Sequence, residues 1–184
     1  MKSGVTRRGG GVRAETVRIR RATARDAKAL TRLVRSSRAY EGRYAAMVAG
    51  YRMGPDYIEA HRVFVAEQPG TARLLGFYAL VLAPPELDLM FVANDAQGLG
   101  IGRLLIGHLR DEAGRAGLTG VRVVSHPPAE GFYRSVGARR TGTLRADPPA
   151  VMWDRPELLL PVGRPRAENT GNADDTERGG PEPS

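Results

Sequence analysis

The sequence predicts one α/β or α+β domain with a mixed sheet, and three observations carry that prediction. Short β-branched runs alternate apolar and polar residues with a period of two, while other segments repeat their apolar residues at helical spacing. The two kinds of segment interleave along the chain instead of separating into halves, which is the order of a mixed sheet with helices packed on it. The length of 184 residues suits one core with trimmings and leaves no room for two.

The domain does not need the whole chain. Met1 to Glu15 is rich in Gly and Arg without apolar periodicity, and Gly163 to Ser184 is Pro, Gly, Asn and acid. Neither stretch carries enough apolar surface to offset the entropy of ordering it. Residues 1–15 and 163–184 are therefore expected to be disordered tails, and residues 16–162 the folded unit.

Val17-Arg18-Ile19-Arg20 alternates as a short half-buried strand. Thr23 with Asp26 three residues on is a capping-box variant, and Ala27, Leu30, Leu33 and Val34 form the stripe of the helix it opens. Helical spacing resumes over Arg43 to His61, with an interruption near Gly54-Pro55. Val63 to Glu67 is a strand, Gln68-Pro69-Gly70-Thr71 a hairpin turn, and Leu74 to Leu82 the returning strand, apolar enough to be central. Pro84-Pro85 breaks it. Glu86 to Val92 is the next strand, with Leu87, Leu89 and Phe91 expected on one face and Glu86, Asp88, Met90 and Val92 on the other. A glycine-rich turn leads into a helix from Gly100 to Arg115 with Leu104, Leu105, His108 and Leu109 at helical spacing. Val121 to Ser125 is a strand, Ala129 to Val136 a short helix with Gly137 placed as its left-handed cap, and two strands near Arg139–Leu144 and Val151–Val162 close the domain.

Composition narrows the functions. The formal charge of +8 raises nucleic acid as a partner, but the basic residues are scattered arginines without the interleaved aromatics of a stacking platform, so none is expected. A basic surface beside an anionic ligand uses such charge equally well. With no cysteine there is no disulfide, thiolate metal site or Cys nucleophile, so acyl chemistry here would be direct. His61, His108 and His126 lack metal-ligand spacing, and no metal is expected. No apolar run reaches membrane-spanning length and no h-region follows the basic start, so a cytoplasmic protein with no membrane partner is expected.

Gln97-Gly98-Leu99-Gly100-Ile101-Gly102-Arg103 is the most informative segment. Glycines let the backbone approach a ligand closely, and the free N–H groups and dipole of the helix start favour an anion. A phosphate-bearing ligand is the natural occupant, although a tight turn alone would also use glycine. A P-loop is excluded because Arg103-Leu104 follows Gly102, and a dinucleotide fingerprint is excluded because Arg103 stands where its third glycine belongs. The spacing of Gln97, Gly100 and Gly102 does fit Gln/Arg-x-x-Gly-x-Gly/Ala.

That pattern resembles the pyrophosphate-binding motif of the GNAT superfamily of N-acetyltransferases. The context strengthens the resemblance. An apolar strand precedes the motif, and Ala129-Glu130-Gly131-Phe132-Tyr133-Arg134-Ser135-Val136-Gly137 is similar to the family's second signature, Ala-x-x-Phe-Tyr-x-x-x-Gly. The opening Val17 to Leu30 also looks like the family's. The resemblance spans most of Val17 to Val162. It implies a mostly antiparallel sheet with a splayed parallel strand pair, flanked by about four helices. It also implies acetyl-CoA as acyl donor, an amine acceptor and no covalent enzyme intermediate. Backbone groups near Phe91 and Val92 would hold the pantetheine arm, and Gln97, Gly98, Leu99, Gly100, Ile101, Gly102 and Arg103 the pyrophosphate, with Phe132 and Tyr133 beside the donor.

An amine near pKa 10.4 is mostly protonated at neutral pH, a cost of roughly 4–5 kcal/mol that a positioned base addresses. The resemblance implies Glu86 as that base, eleven residues before Gln97, with Asp88 on the same face as the alternative; an exposed strand-start glutamate is the structural account of Glu86. It implies Tyr133 as the acid that protonates the departing thiolate, against a half-buried Tyr packed beside Phe132. His126, just past the fifth strand, would either face the acceptor, where relatives usually carry Asp or Asn, or stand as a solvated residue at a strand end, and the second is the reading preferred. Two departures stand out. Pro127-Pro128 precedes the motif alanine where relatives often carry Asn or His, and Arg145 to Asp154 with Pro148-Pro149 replaces a smooth strand pair. Trp153 would either line the acceptor groove or cover the sheet edge. A catalytically silent acyl-CoA-binding regulatory module is the alternative to an enzyme, and the acceptor, the acyl preference and the oligomeric state, a homodimer included, stay open.

Overall fold

Alternating periods in the sequence become a seven-stranded sheet with helices on both faces. A computed structural model of the chain describes residues 17–163. The tails expected over residues 1–15 and 163–184 lie, Gly163 apart, outside the described residues. Strand β1 (Arg18–Arg21) leads through a single turn of tighter helix to α1 (Ala27–Arg35). Asp26 fixes that entry: its carboxylate accepts the Thr23 backbone N–H at 2.8 Å and two bonds from the Arg20 guanidinium at 2.9 Å. The helical stretch that follows is divided, as Gly54-Pro55 predicts, into α2 (Ala45–Ala49) and α3 (Pro55–Ala60). Proline suits the first turn of α3 because its missing N–H has no partner there anyway.

The hairpin of β2 (Arg62–Gln68) and β3 (Arg73–Leu82) turns at Gly70, whose φ of 81° only glycine adopts freely. Then come β4 (Pro85–Val92), α4 (Ile101–Arg115), β5 (Gly120–Val124), α5 (Glu130–Ser135), β6 (Arg139–Leu144) and β7 (Arg155–Pro161). The last strand is shorter than expected, because residues 147–151 form a separate bridged loop before it. The sheet order is β1-β2-β3-β4-β5-β7-β6, antiparallel throughout except for the β4–β5 pair. This is the mixed, mostly antiparallel sheet the motifs implied, with five helices because the second is divided.

Each face of the sheet has its own core. Leu30 and Val34 of α1, Val48 of α2 and Ile58 of α3 pack with Val63, Val65, Phe77 and Phe91 on one side. Leu105, Ile106 and Leu109 of α4 pack with Leu80, Val121, Val123, Leu158 and Leu160 on the other. Burying a side chain of this size contributes about 1.5–3 kcal/mol. Leu104 and His108 are only half-buried, so the α4 stripe runs through Ile101, Leu105, Leu109 and Ala113 instead.

One expectation fails, and the failure shapes the site. Leu87, Leu89 and Phe91 do not share a face. Opposite Ala79-Leu80 the β4 register skips Asp88, which is an extra, bulged residue. The bulge reverses the alternation, so Leu87 packs with the α4 core while Leu89 and Phe91 pack with the α1–α3 core. Opposite Val92, Gly76 has no room for a side chain: a Cβ there would stand 2.7 Å from the Phe91 carbonyl oxygen. Gly76→Ala is expected to lower unfolding free energy by about 1–3 kcal/mol in urea titrations.

Candidate active site

Strands β4 and β5 pair at only two positions, Glu86 with Arg122 and Leu87 with Val123. Beyond them comes the Asp88 bulge, and a bulge raises local twist and bends its strand. The rest of β4 therefore diverges from β5 and leaves its inner edge without a strand partner. A cavity of about 500 Å³ fills the split, walled by Met90 and Val92 of β4, the turn before α4, and Ala129, Phe132 and Tyr133.

The three motif glycines serve different ends. Gly98 and Gly100 take φ of 76° and 83°, with no protein atom within 4 Å of where a Cβ would sit. Their need is conformational, and the space beside them is open. Gly102 instead accommodates a ring: a Cβ there would lie 3.0 Å from Phe132. Gly100 caps α4, and the first bond within that helix is Leu104 N–H to the Gly100 carbonyl at 3.1 Å. The N–H groups of Ile101, Gly102 and Arg103 precede that bond and have no acceptor inside the helix. Together with the helix dipole they fit a pyrophosphate at the mouth of the cavity.

Of the residues expected at the donor site, Val92, Gln97, Gly98, Gly100, Ile101, Gly102, Arg103, Phe132 and Tyr133 line this cavity. The side chains of Phe91 and Leu99 do not. Phe91 is buried in the other core, stacked on Phe77 and Tyr40 at centroid distances of 5.8 and 5.6 Å, and Leu99 is exposed. The Arg103 guanidinium reaches Ser135 on α5.

Glu86 and Asp88 belong to a neighbouring cavity of about 240 Å³ on the α1–α3 side, which Tyr40, Tyr51, Trp153 and Arg155 also line. Glu86 is not the exposed strand-start residue of the simplest reading. Its carboxylate accepts a bond from Arg122 at 2.7 Å, and Arg122 also holds Glu157 at 2.5 Å. Asp88 accepts a bond from the Tyr57 hydroxyl. Burial, reinforced by that bond to Asp88, raises the pKa of Tyr57 far above the usual phenol value, and burial pushes Tyr51 up to about 12. Trp153 lines this cavity, with its ring edge-on to Tyr44 at 4.5 Å.

Tyr133 is 8% exposed, and burial raises the pKa of its phenol, so it is protonated throughout the neutral range. His126 corrects the sequence reading. It is not solvated but 8% exposed, stacked on Tyr40 at 4.4 Å and edge-on to Tyr44 at 4.2 Å. It lines both cavities, and neither ring nitrogen has a hydrogen-bond partner among the described residues. A polar residue just after a strand looks solvated in sequence, and only the tyrosines of the 38–44 segment folding over it reveal otherwise.

Burial lowers the pKa of His126, and likewise of His108. The unfolded chain then binds more protons than the folded one as pH falls below about 6.5, so stability is lost on acidification through that window and is unaffected above it. His126→Phe is expected to flatten the slope of unfolding free energy against pH below 6.5, measured by urea titration at successive pH values.

A parallel strand pair opened by a bulge, with a glycine-capped helix start at its mouth and a buried phenol beside it, has the shape and donors to accept an extended, phosphate-bearing ligand. The acetyltransferase (GNAT) domain model matches residues 59–137, which include β4, the glycine turn and α5. The resemblance read from the two motifs is thereby borne out: residues 59–137 match a GNAT acetyltransferase domain. Solved structures agree on the fold. A GCN5-related N-acetyltransferase from Rhodopseudomonas palustris is 19% identical with a TM-score of 0.71, covering 84% of this chain and all of its own. The ribosomal-protein-S18-alanine N-acetyltransferase from Escherichia coli is 20% identical at TM-score 0.60, covering 87% and 99%. A GNAT superfamily phosphinothricin acetyltransferase from Sinorhizobium meliloti, solved in complex with acetyl-CoA, is 21% identical at TM-score 0.61, covering 89% and 95%. No curated protein is similar enough in sequence to count as a relative. Among the described residues no group of three or more His, Asp or Glu could hold a metal ion, and no helix is long and apolar enough to cross a membrane.

Proposed function

We propose that the protein transfers an acetyl group from acetyl-CoA directly to an amine held in the Asp88 cavity. The observation that carries this reading is the convergence on one cavity of the unpaired β4 edge, the free N–H groups of α4 and the Tyr133 phenol. When bound, acetyl-CoA supplies the activated acyl group. The N–H groups from Gly98 to Arg103 take its pyrophosphate, and backbone groups of Phe91 and Val92 bond the pantetheine arm as an added strand would. That backbone role is compatible with the Phe91 side chain lying in the core.

Deprotonating the amine falls to the acidic wall of the second cavity. Glu86 is committed to Arg122, whose guanidinium occupies its carboxylate at 2.7 Å. Asp88, held only by a neutral hydroxyl, is the freer of the two and takes the proton, directly or through water. His126, neutral because it is buried, offers a lone pair where the two cavities meet. Tyr133 donates its proton to sulfur as the carbon–sulfur bond breaks, and recovers it from solvent.

The test is amine-dependent release of free CoA thiol, with the acceptor identified by mass spectrometry as singly acetylated. Binding of acetyl-CoA without thiol release to any amine would identify a silent acyl-CoA-binding module instead.

A further inference from the structure

Four buried side-chain nitrogens find no hydrogen-bond partner among the described residues: both ring nitrogens of His126, Trp153 Nε1 and Arg155 Nε. All three residues line the same cavity of about 240 Å³. Leaving a buried polar group unpaired costs about 1–3 kcal/mol, and more when the group is charged. Such groups are scarce in native proteins, so their gathering around one cavity points to a partner from outside the protein.

The chemistry of that partner follows from the donors. The guanidinium is charged at any working pH and presents a fork matched to a carboxylate. Arg122, Arg140 and Arg145 each sit on a carboxylate at 3.1 Å or less. Arg155, by contrast, makes no hydrogen bond or ion pair with a described side chain, although it stands at the start of β7 and is half-buried. Trp153 Nε1 can only donate. The loop that carries Trp153 into β7 is closed by the Arg145–Asp154 pair at 2.7 Å and the Asp147–Val151 bridge. The cavity's other polar residues are Glu86 and Asp88 of β4 with Tyr40 and Tyr51, and Met47, Val48 and Leu89 give it apolar walls.

We infer that the acceptor is an amine that carries its own carboxylate, an amino acid or a short peptide. Its carboxylate is bound by Arg155 and Trp153 Nε1, and its amine is turned toward Asp88. A polyamine would set a second cation against Arg155, and a simple alkylamine would leave the guanidinium unpaired. The inference rests on the acyl-transfer reading and gives that reading its substrate class.

The test uses matched probes on the intact chain: L-leucine and L-phenylalanine, their amides, and the decarboxylated amines isoamylamine and phenethylamine, with dipeptides as a further set. Thiol release with acetyl-CoA and calorimetric binding to the CoA-loaded protein are read for each, and acetyl-CoA affinity is measured separately. The carboxylate-bearing amines are expected to exceed their amides and decarboxylated counterparts by about 10²-fold or more in kcat/KM. Arg155→Gln should raise KM for the preferred acceptor about 10²-fold with kcat nearly unchanged, abolish the preference over the amide, and leave acetyl-CoA affinity as it was. Arg155→Lys, which keeps the charge and loses the fork, should fall between. Equal or better use of the amide or amine would overturn the inference. So would an unchanged preference in Arg155→Gln, or failure of every carboxylate-bearing probe to bind a protein that binds acetyl-CoA. Failure to bind acetyl-CoA would remove the acyl-transfer reading itself, and this inference with it.

Discussion

Replacing Tyr133 with Phe is expected to lower kcat about 10²- to 10³-fold while acetyl-CoA affinity changes less than about threefold. General acid catalysis contributes 10²–10⁴-fold, and the lower part of that range is expected because burial raises the phenol's pKa and makes it a weaker acid. The substitution removes one oxygen and keeps the ring that packs edge-on to Phe132 at 5.4 Å. The Tyr133 hydroxyl makes no hydrogen bond to a described residue, so stability has little to lose. Steady-state rates set beside calorimetric affinities separate the outcomes. Parallel losses in both would mean that Tyr133 shapes the donor site without acting as acid.

The second large effect is expected at Gly100, where Val should weaken acetyl-CoA binding about 10²-fold or more. No protein atom lies within 4 Å of a Cβ at this position, so the substitution meets nothing inside the protein. Two other penalties apply. A residue with a Cβ pays about 1–2 kcal/mol in the left-handed region that Gly100 occupies at φ 83°, and a β-branched one pays more. If the turn yields, the α4 N–H groups lose their aim. If it holds, two methyl groups stand in the open space proposed for the pyrophosphate. Charge-assisted hydrogen bonds contribute about 1.5–3 kcal/mol each, so losing one or two suffices for the stated effect. Unchanged affinity would place the pyrophosphate elsewhere.

Much of this was legible in the sequence because it is written in local chemistry. The capping acid Asp26, the hairpin at Gly70, the break at Gly54-Pro55 and the left-handed cap Gly137, at φ 91°, each follow from a residue's own conformational preferences. The glycine turn could be recognised from spacing for the same reason. The Asp88 bulge could not: alternation over Glu86 to Val92 reads as a regular strand, and only the register against β3 shows the extra residue. That one residue moves Leu89 and Phe91 to the other core and opens the split.

The side proposed for the acceptor was hidden for a related reason. Its walls come from Tyr40, Asp88, His126 and the Trp153–Arg155 segment, which are far apart in sequence and share no motif. Glu86 had the right position for a base by counting, but its partner Arg122 comes from the neighbouring strand, thirty-six residues on. Long-range pairings of this kind leave no periodic trace.

The measurement that bears most directly on the central claim is isothermal titration of the purified protein with acetyl-CoA and with CoA, with thermal shift alongside. Saturable binding at one site, in the micromolar range and lost in Gly100→Val, is the predicted result. A protein that binds neither ligand would contradict it and leave the glycine turn a purely structural feature of the fold.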